Sequence, residues 1–183
     1  QKGFQMKLAP YDGTIRGPLI VSMPSKLPTG KVCSKPVGGA DLVPTFFNAA
    51  GLDPPWKMHG RDLTPLLTHP ERKDWKSPLL LAHTGMSFGE DCDVVIEMKD
   101  DPIYQKQRVP WWISLRTDRY KYIRNLLPGE TEELYDMKND PDEIKTLAIG
   151  KNHLSLLRKL RNKTIRELLQ TDCAFAQKMP PVH

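Results

Sequence analysis

Read from the N-terminus, the first apolar run spans residues 15–23, where Ile15, Leu19, Ile20, Val21 and Met23 are punctuated by Arg16-Gly17-Pro18. Short, rich in branched residues and bounded by turn formers, it predicts a buried strand. Pro24, Pro28 and Gly30 follow too closely for a regular element, so residues 24–35 read as loop. From Gly39 to Ala50 the apolar positions Leu42, Val43, Phe46, Phe47, Ala49 and Ala50 recur at helical spacing. Asp41 can serve the start of this helix and Gly51 its stop. Pro44 is expected within the first turn, where proline is tolerated. Residues 60–67 predict a single short helical segment, 68–76 an exposed linker and 77–82 a strand. Residues 85–110 are polar and carry Glu90, Asp91, Asp93, Glu97, Asp100 and Asp101, predicting a long loop.

The clearest local pattern lies further on. Trp111-Trp112-Ile113-Ser114-Leu115 and Tyr120-Lys121-Tyr122-Ile123 flank the turn-like Arg116-Thr117-Asp118-Arg119 and predict a hairpin. Residues 132–135 add a third strand, and Asn139-Asp140-Pro141-Asp142 breaks the chain. Between residues 152 and 170, Leu154, Leu157, Leu160, Ile165, Leu168 and Leu169 share one helical face, which predicts an amphipathic helix covering the sheet. Residues 171–183 are expected to be poorly ordered. Being adjacent in a strand, Trp111 and Trp112 must face opposite sides. Packing is the first account of both, with an interface or sugar-binding surface as the alternative for one.

Composition narrows the classes. Hydrophobic residues at 39% and charged ones at 27% are too apolar and too mixed in sign for a disordered polyelectrolyte, so the 183-residue chain is expected to bury a core. It lacks the ~20 continuous apolar residues of a membrane span. Gln1-Lys2-Gly3-Phe4 has no initiator Met and no signal layout, and the chain is expected to begin mid-protein. Cys33, Cys92 and Cys173 form no C-x-x-C pair, which argues against structural zinc. One disulfide with a free thiol, or three thiols, both remain open. Lys151, Arg158, Lys159, Arg161, Lys163 and Arg166 crowd one segment against Glu167 alone. No aromatic residue interleaves them to stack on bases, so a solvated helix face is expected and nucleic acid is not.

Candidate chemistry enters near the start. Lys7 lies four residues before Tyr11 in Lys7-Leu8-Ala9-Pro10-Tyr11-Asp12-Gly13-Thr14-Ile15-Arg16-Gly17-Pro18. In the same order follow Leu19-Ile20-Val21, Ala40-Asp41-Leu42-Val43-Pro44-Thr45, Ala50-Gly51-Leu52 and Gly60-Arg61-Asp62-Leu63. Arg116-Thr117-Asp118-Arg119-Tyr120-Lys121-Tyr122-Ile123 and Glu133-Leu134-Tyr135-Asp136 complete the series. Each is weak alone; together, in register over most of the chain, they make it resemble the sulfatase family.

That resemblance implies an α/β fold of the alkaline-phosphatase type and hydrolysis of sulfate esters, aryl sulfates or sulfated glycans. It implies a formylglycine nucleophile, calcium or magnesium, and a secreted, periplasmic or lysosomal setting. By the same resemblance, Lys7 holds a sulfate oxygen, a role that suits a compact ammonium with three donors. Residues 1–76 would then be the end of the catalytic domain with its linker, and residues 77–183 a small antiparallel sheet subdomain covered by the C-terminal helix.

Several family parts are not found. Ser22-Met23-Pro24-Ser25-Lys26 is the sole lookalike of the nucleophile motif; it ends in lysine and follows the lysine motif instead of preceding it. The family's metal-ligating acids and nucleophile would precede Gln1, so a missing N-terminal catalytic portion is the expected partner and this chain alone is expected to be inactive. His83 closes a predicted strand and opens the long loop, where a substrate contact and a hydrogen-bonded structural histidine both stand open. Arg16 is expected to pair with a carboxylate such as Asp12. Two rivals accompany this reading: a phosphate or phosphonate ester hydrolase of the same superfamily, and a non-catalytic module binding polyanions.

Overall fold

The computed structural model describes residues 8–84, 105–106, 108–173, 176 and 179. It comprises two units, Gln1–Gly17 with Leu80–His183, and Pro18–Leu79. The first is built on a four-stranded sheet in the order β1 (Leu79–His83), β2 (Trp112–Arg116), β3 (Tyr120–Asn125) and β4 (Glu133–Asp136). The predicted hairpin forms as an antiparallel β2–β3 pair, with Trp112 opposite Asn125 and Leu115 opposite Tyr122. β4 pairs antiparallel with β3, placing Leu134 opposite Tyr122. Thr117 closes the β2–β3 turn: its Oγ1 accepts from Tyr120 N and its backbone N–H donates to Tyr120 O at 2.8 Å.

Alternation in the strands sorts side chains onto two faces. On one, Ile113, Leu115, Tyr122 and Leu134 join Trp111 and pack against Leu157, Leu160 and Leu168 of the C-terminal helix. That helix, Leu154–Leu169, is the amphipathic one predicted. On the other face, Trp112, Ile123 and Tyr135 pack on Ala9, with Leu8, Tyr11 and Ile15 beside it. Because both faces are covered, Trp112 through Leu115 are all buried, and even the interrupting Ser114 is fully enclosed.

Two expectations fail. Residues 15–23 do not form a strand: Asp12–Ile15 is a single helical turn, α1, and residues 16–23 are irregular. Thr14 N and Ile15 N bond Tyr11 O, which commits the backbone to a turn. No described strand offers the branched residues beyond it a ladder, and Ile20 is 90% exposed. The expected disorder of residues 171–183 also needs correction where they are described, since Ala176 and Met179 pack in the Trp111 cluster. The long loop at residues 85–110 falls mostly outside the described residues.

In the second unit, α2 (Gly39–Ala50) and α3 (Thr64–Thr68) carry two of the sequence motifs, and hydrogen bonds join them. Asp41 accepts from Gly38 N at 2.9 Å, from Arg61 N at 2.8 Å and from the Arg61 guanidinium at 3.0 and 3.1 Å. Arg61 also reaches Pro78 O at 2.7 Å and lies over the Trp75 ring. One turn later Thr45 Oγ1 accepts from Leu63 N at 2.8 Å. Asp41 and Thr45 are therefore the buried residues of α2, while Phe46 is 63% exposed. The predicted apolar stripe exists but points outward, because the i, i+4 polar pair docks the opposite face.

Pro44 is also displaced from expectation: with the helix starting at Gly39, it sits in the second turn. Its missing N–H cannot serve the Ala40 carbonyl, and Gly60 packs directly against that group. A Cβ on Gly60 would lie 1.8 Å from Ala40 O. Gly60→Ala is expected to destabilise the protein by at least ~2 kcal/mol, the overpacking scale for an immovable backbone neighbour; the shift in urea midpoint at constant m-value measures it. Gly51 ends α2 as predicted, at φ 70°, with Leu52 N donating to Phe47 O at 2.9 Å.

Candidate substrate-binding site

The lysine singled out by sequence, Lys7, lies outside the described residues. The residues bonded after it are described, and contacts from the sheet and from Glu143 hold them. Trp112 Nε1–H donates to Leu8 O at 2.7 Å. Ala9 is fully buried under the sheet. Tyr11 O–H donates to Glu133, 3.1 Å from Oε1 and 3.0 Å from Oε2, and Tyr135 O–H donates to the same carboxylate. Asp12 is held twice: its Oδ1 accepts from Lys121 Nζ at 2.9 Å, and its N–H donates to Glu143 Oε2.

Lys121 is the centre of this last arrangement. Its side chain is 0% exposed, on the sheet face opposite the C-terminal helix, and its ammonium lies 2.7 Å from Glu143 Oε1. At that distance the two buried charges attract directly. Burial raises the Glu143 carboxyl above the usual carboxylate range, with Lys121 pulling it back. Burial lowers the neighbouring Arg116, against the attraction of Asp12, Glu143 and Asp118. Tyr11 and Tyr135 are both raised by burial and by Glu133, and so act as O–H donors throughout the neutral range.

His83 ends β1 and is half-buried. Its ring centroid is 6.0 Å from that of Trp112, with the planes at 39°. Trp112 thus touches both His83 and the residue that follows Lys7. The sequence placed Trp112 in a strand but offered no signal for the acceptor of its N–H. Lys121 was visible as a strand residue within one of the family strings, with nothing to name its partners, and Glu143 not at all.

Other expectations resolve differently. The carboxylate assigned to Arg16, that of Asp12, goes to Lys121, while Arg16 is exposed. Arg161, counted among the cations of the C-terminal helix (now α4), forms a two-pronged pair with the buried Glu132, which Tyr122 O–H also meets. It serves the fold, whereas Arg158, Lys159 and Arg166 are exposed. Cys33 is exposed, Cys173 packs beside the Trp111 cluster, and Cys92 falls outside the described residues.

Among the described residues no three His, Cys, Asp or Glu side chains gather as metal ligands would. Asp12, Asp41, Glu132, Glu133 and Glu143 each face a cation or a tyrosine hydroxyl instead. These residues do not fit a divalent ion. No described helix is long and apolar enough to cross a membrane.

Residues 1–85 match the family model described as N-sulphoglucosamine sulphohydrolase, C-terminal. Over that stretch the chain resembles the C-terminal part of a sulfatase family. Among curated sulfatases, the Delta 4,5-hexuronate-2-O-sulfatase of Bacteroides thetaiotaomicron is 31% identical over 155 residues, covering 82% of this chain and 28% of the relative. Sulfatase relatives of this chain are consistently longer, and it spans only 24–29% of the first three. In structure, the phosphonate monoester hydrolase of Silicibacter pomeroyi superposes with a TM-score of 0.70 at 22% identity, over 93% of this chain and 32% of that one. A further structure, in complex with its substrate D-glucosamine-2-N,6-O-disulfate, superposes with a TM-score of 0.53 at 22% identity, over 73% and 25%. The chain therefore shares its fold, of mixed α and β structure, with the matching parts of these two proteins.

Proposed function

We propose that this chain is the C-terminal portion of a sulfuric ester hydrolase acting on sulfated glycans. In this reading residues 1–76 end the catalytic α/β domain with its linker, and residues 77–183 form the sheet-and-helix subdomain. The preceding portion of the protein supplies the formylglycine and the binding site for a divalent cation, calcium or magnesium, and the chain alone is inactive. The enzyme works in a secreted, periplasmic or lysosomal setting.

Within that reading the chain's own part is substrate binding. Lys7 presents its ammonium to a sulfate oxygen, where charge grows as the ester bond breaks. His83 contacts the substrate from the end of β1, a position where strand ends commonly present binding groups. The outward apolar face of α2 and the exposed Leu19-Ile20-Val21 are covered by the catalytic portion.

The observation that carries the proposal is the 31% identity to a sulfatase acting on a hexuronate sulfate, spread over most of this chain. A second reading, a phosphonate or phosphate ester hydrolase, is favoured by the superposition on the phosphonate monoester hydrolase. The tetrahedral oxyanions share shape and differ mainly in charge, so the lysine alone does not separate them. Turnover of an aryl sulfate and an aryl phosphonate by the intact enzyme does. Faster sulfate hydrolysis is expected; faster phosphonate hydrolysis overturns the first reading in favour of the second.

A further inference from the structure

Helix α4 turns Leu157, Leu160, Thr164 and Leu168 into the core and presents a polar ridge on its other side. Ser155, Lys159, Asn162 and Arg166, at i, i+4, i+7 and i+11, are all exposed along that ridge, with Arg158 exposed beside them and Lys163 half-buried. Lys121, Arg119 and Arg161, the last from this same helix, each meet a carboxylate. Among the described residues, the side chains of Arg158, Lys159, Lys163 and Arg166 have no ion pair or hydrogen bond. Glu167 is the sole acid of the helix. Lys159, Lys163 and Arg166 stand four and three residues apart, the spacings at which like charges repel. A counter-charge from outside this chain would relieve that repulsion.

Shape selects the ligand. The ridge is a convex, open surface that encloses no single small anion, and Lys159 and Arg166 are separated by about 10 Å of helix rise, seven residues at about 1.5 Å each. A row of cations at that spacing, with the Asn162 amide between them, suits a linear chain bearing repeated sulfates and hydroxyls. No aromatic side chain of α4 is available to stack on bases, and its apolar face is packed on the sheet, so none is free to enter a lipid surface. We propose that the exposed ridge of α4, centred on Lys159 and Arg166, is a docking surface for the sulfated polysaccharide chain that carries the ester to be cleaved. This rests on the proposed action on sulfated glycans. The ridge adds affinity for the polymer and performs no chemistry, and its hold weakens as salt screens the charges.

The test compares the intact enzyme with the double variant Lys159→Gln, Arg166→Gln and with Lys26→Gln, Lys31→Gln, which removes the same charge from exposed positions of the other unit. Glutamine is a good helix former and all four positions are exposed, so folding is not at stake. Heparin is the sulfated probe, N-acetylheparosan its unsulfated counterpart and an aryl sulfate the small substrate. At low ionic strength the helix variant is expected to bind heparin about 10-fold more weakly and with a shallower salt dependence, because fewer counterions are released. The Lys26, Lys31 variant is expected to bind heparin as the parent does. Both should keep the parent's kcat and KM on the aryl sulfate, which has no polymer for the ridge to hold. Equal weakening in the two variants would make the effect one of net charge and overturn the proposal, as would unchanged heparin binding by the helix variant. Parent affinity for N-acetylheparosan, a DNA duplex or phosphatidylserine vesicles as high as for heparin would overturn it too. A parent enzyme that cleaves no aryl sulfate would instead remove the sulfatase reading beneath the proposal, a result separable from all of these.

Discussion

Lys7→Ala in the intact enzyme is expected to lower turnover of a sulfate ester by roughly two to three orders of magnitude, the effect of deleting one oxyanion donor. An ammonium is a compact charge with three N–H groups, and its contribution rises as negative charge accumulates on the sulfate oxygens during bond cleavage. Loss is therefore expected in kcat more than in KM. Lys7→Arg should recover little, since a planar fork presents its donors in a different place from a point charge. Turnover within a few-fold of the parent enzyme would refute the assignment.

Lys121→Met is expected to be among the most destabilising single changes in the chain, costing about 3–5 kcal/mol, as when one partner of a buried ion pair is removed. Methionine fills the space of the aliphatic stem but leaves Glu143, 1% exposed, and Asp12 without their cation. The penalty should depend on pH in a definite direction. The folded Glu143 carboxyl is already raised by burial and would rise further without Lys121. A group that binds its proton more tightly in the folded state favours folding below its ordinary pKa and loses that advantage as pH climbs through the folded value. The deficit of Lys121→Met should thus be largest at neutral pH and shrink on acidification toward pH ~4, the ordinary carboxylate value. Adding Glu143→Gln should restore part of the loss at pH ~7. Urea unfolding of each variant across that pH range checks both statements, and a deficit independent of pH would show that lost packing, not charge, sets it.

The hairpin, β4 and α4 were legible in the amino-acid order because each depends on local periodicity. Alternating apolar residues around a turn and leucines at helical spacing state their own geometry. Family motifs were equally legible, since they are ordered strings. The run at residues 15–23 misled for the complementary reason: apolar branched residues announce burial but not the neighbour that provides it, and here the described strands leave Ile20 in solvent. Helix α2 was legible too, but the face by which it docks within this chain was not, because that is decided by the bonds between Asp41 and Arg61 and between Thr45 and Leu63.

The candidate site divides along the same line. Lys7 and His83 were nominated by motif and position. The groups that hold their surroundings were not: Trp112 meets Leu8 across 104 positions of sequence, Lys121 meets Asp12 across 109, Tyr11 meets Glu133 across 122 and Glu143 meets Asp12 across 131. Residue order carries repeating short-range patterns, from which elements and motifs follow. A buried donor's choice of acceptor follows only once folding has brought distant segments within hydrogen-bonding reach and removed the water that could otherwise have satisfied both.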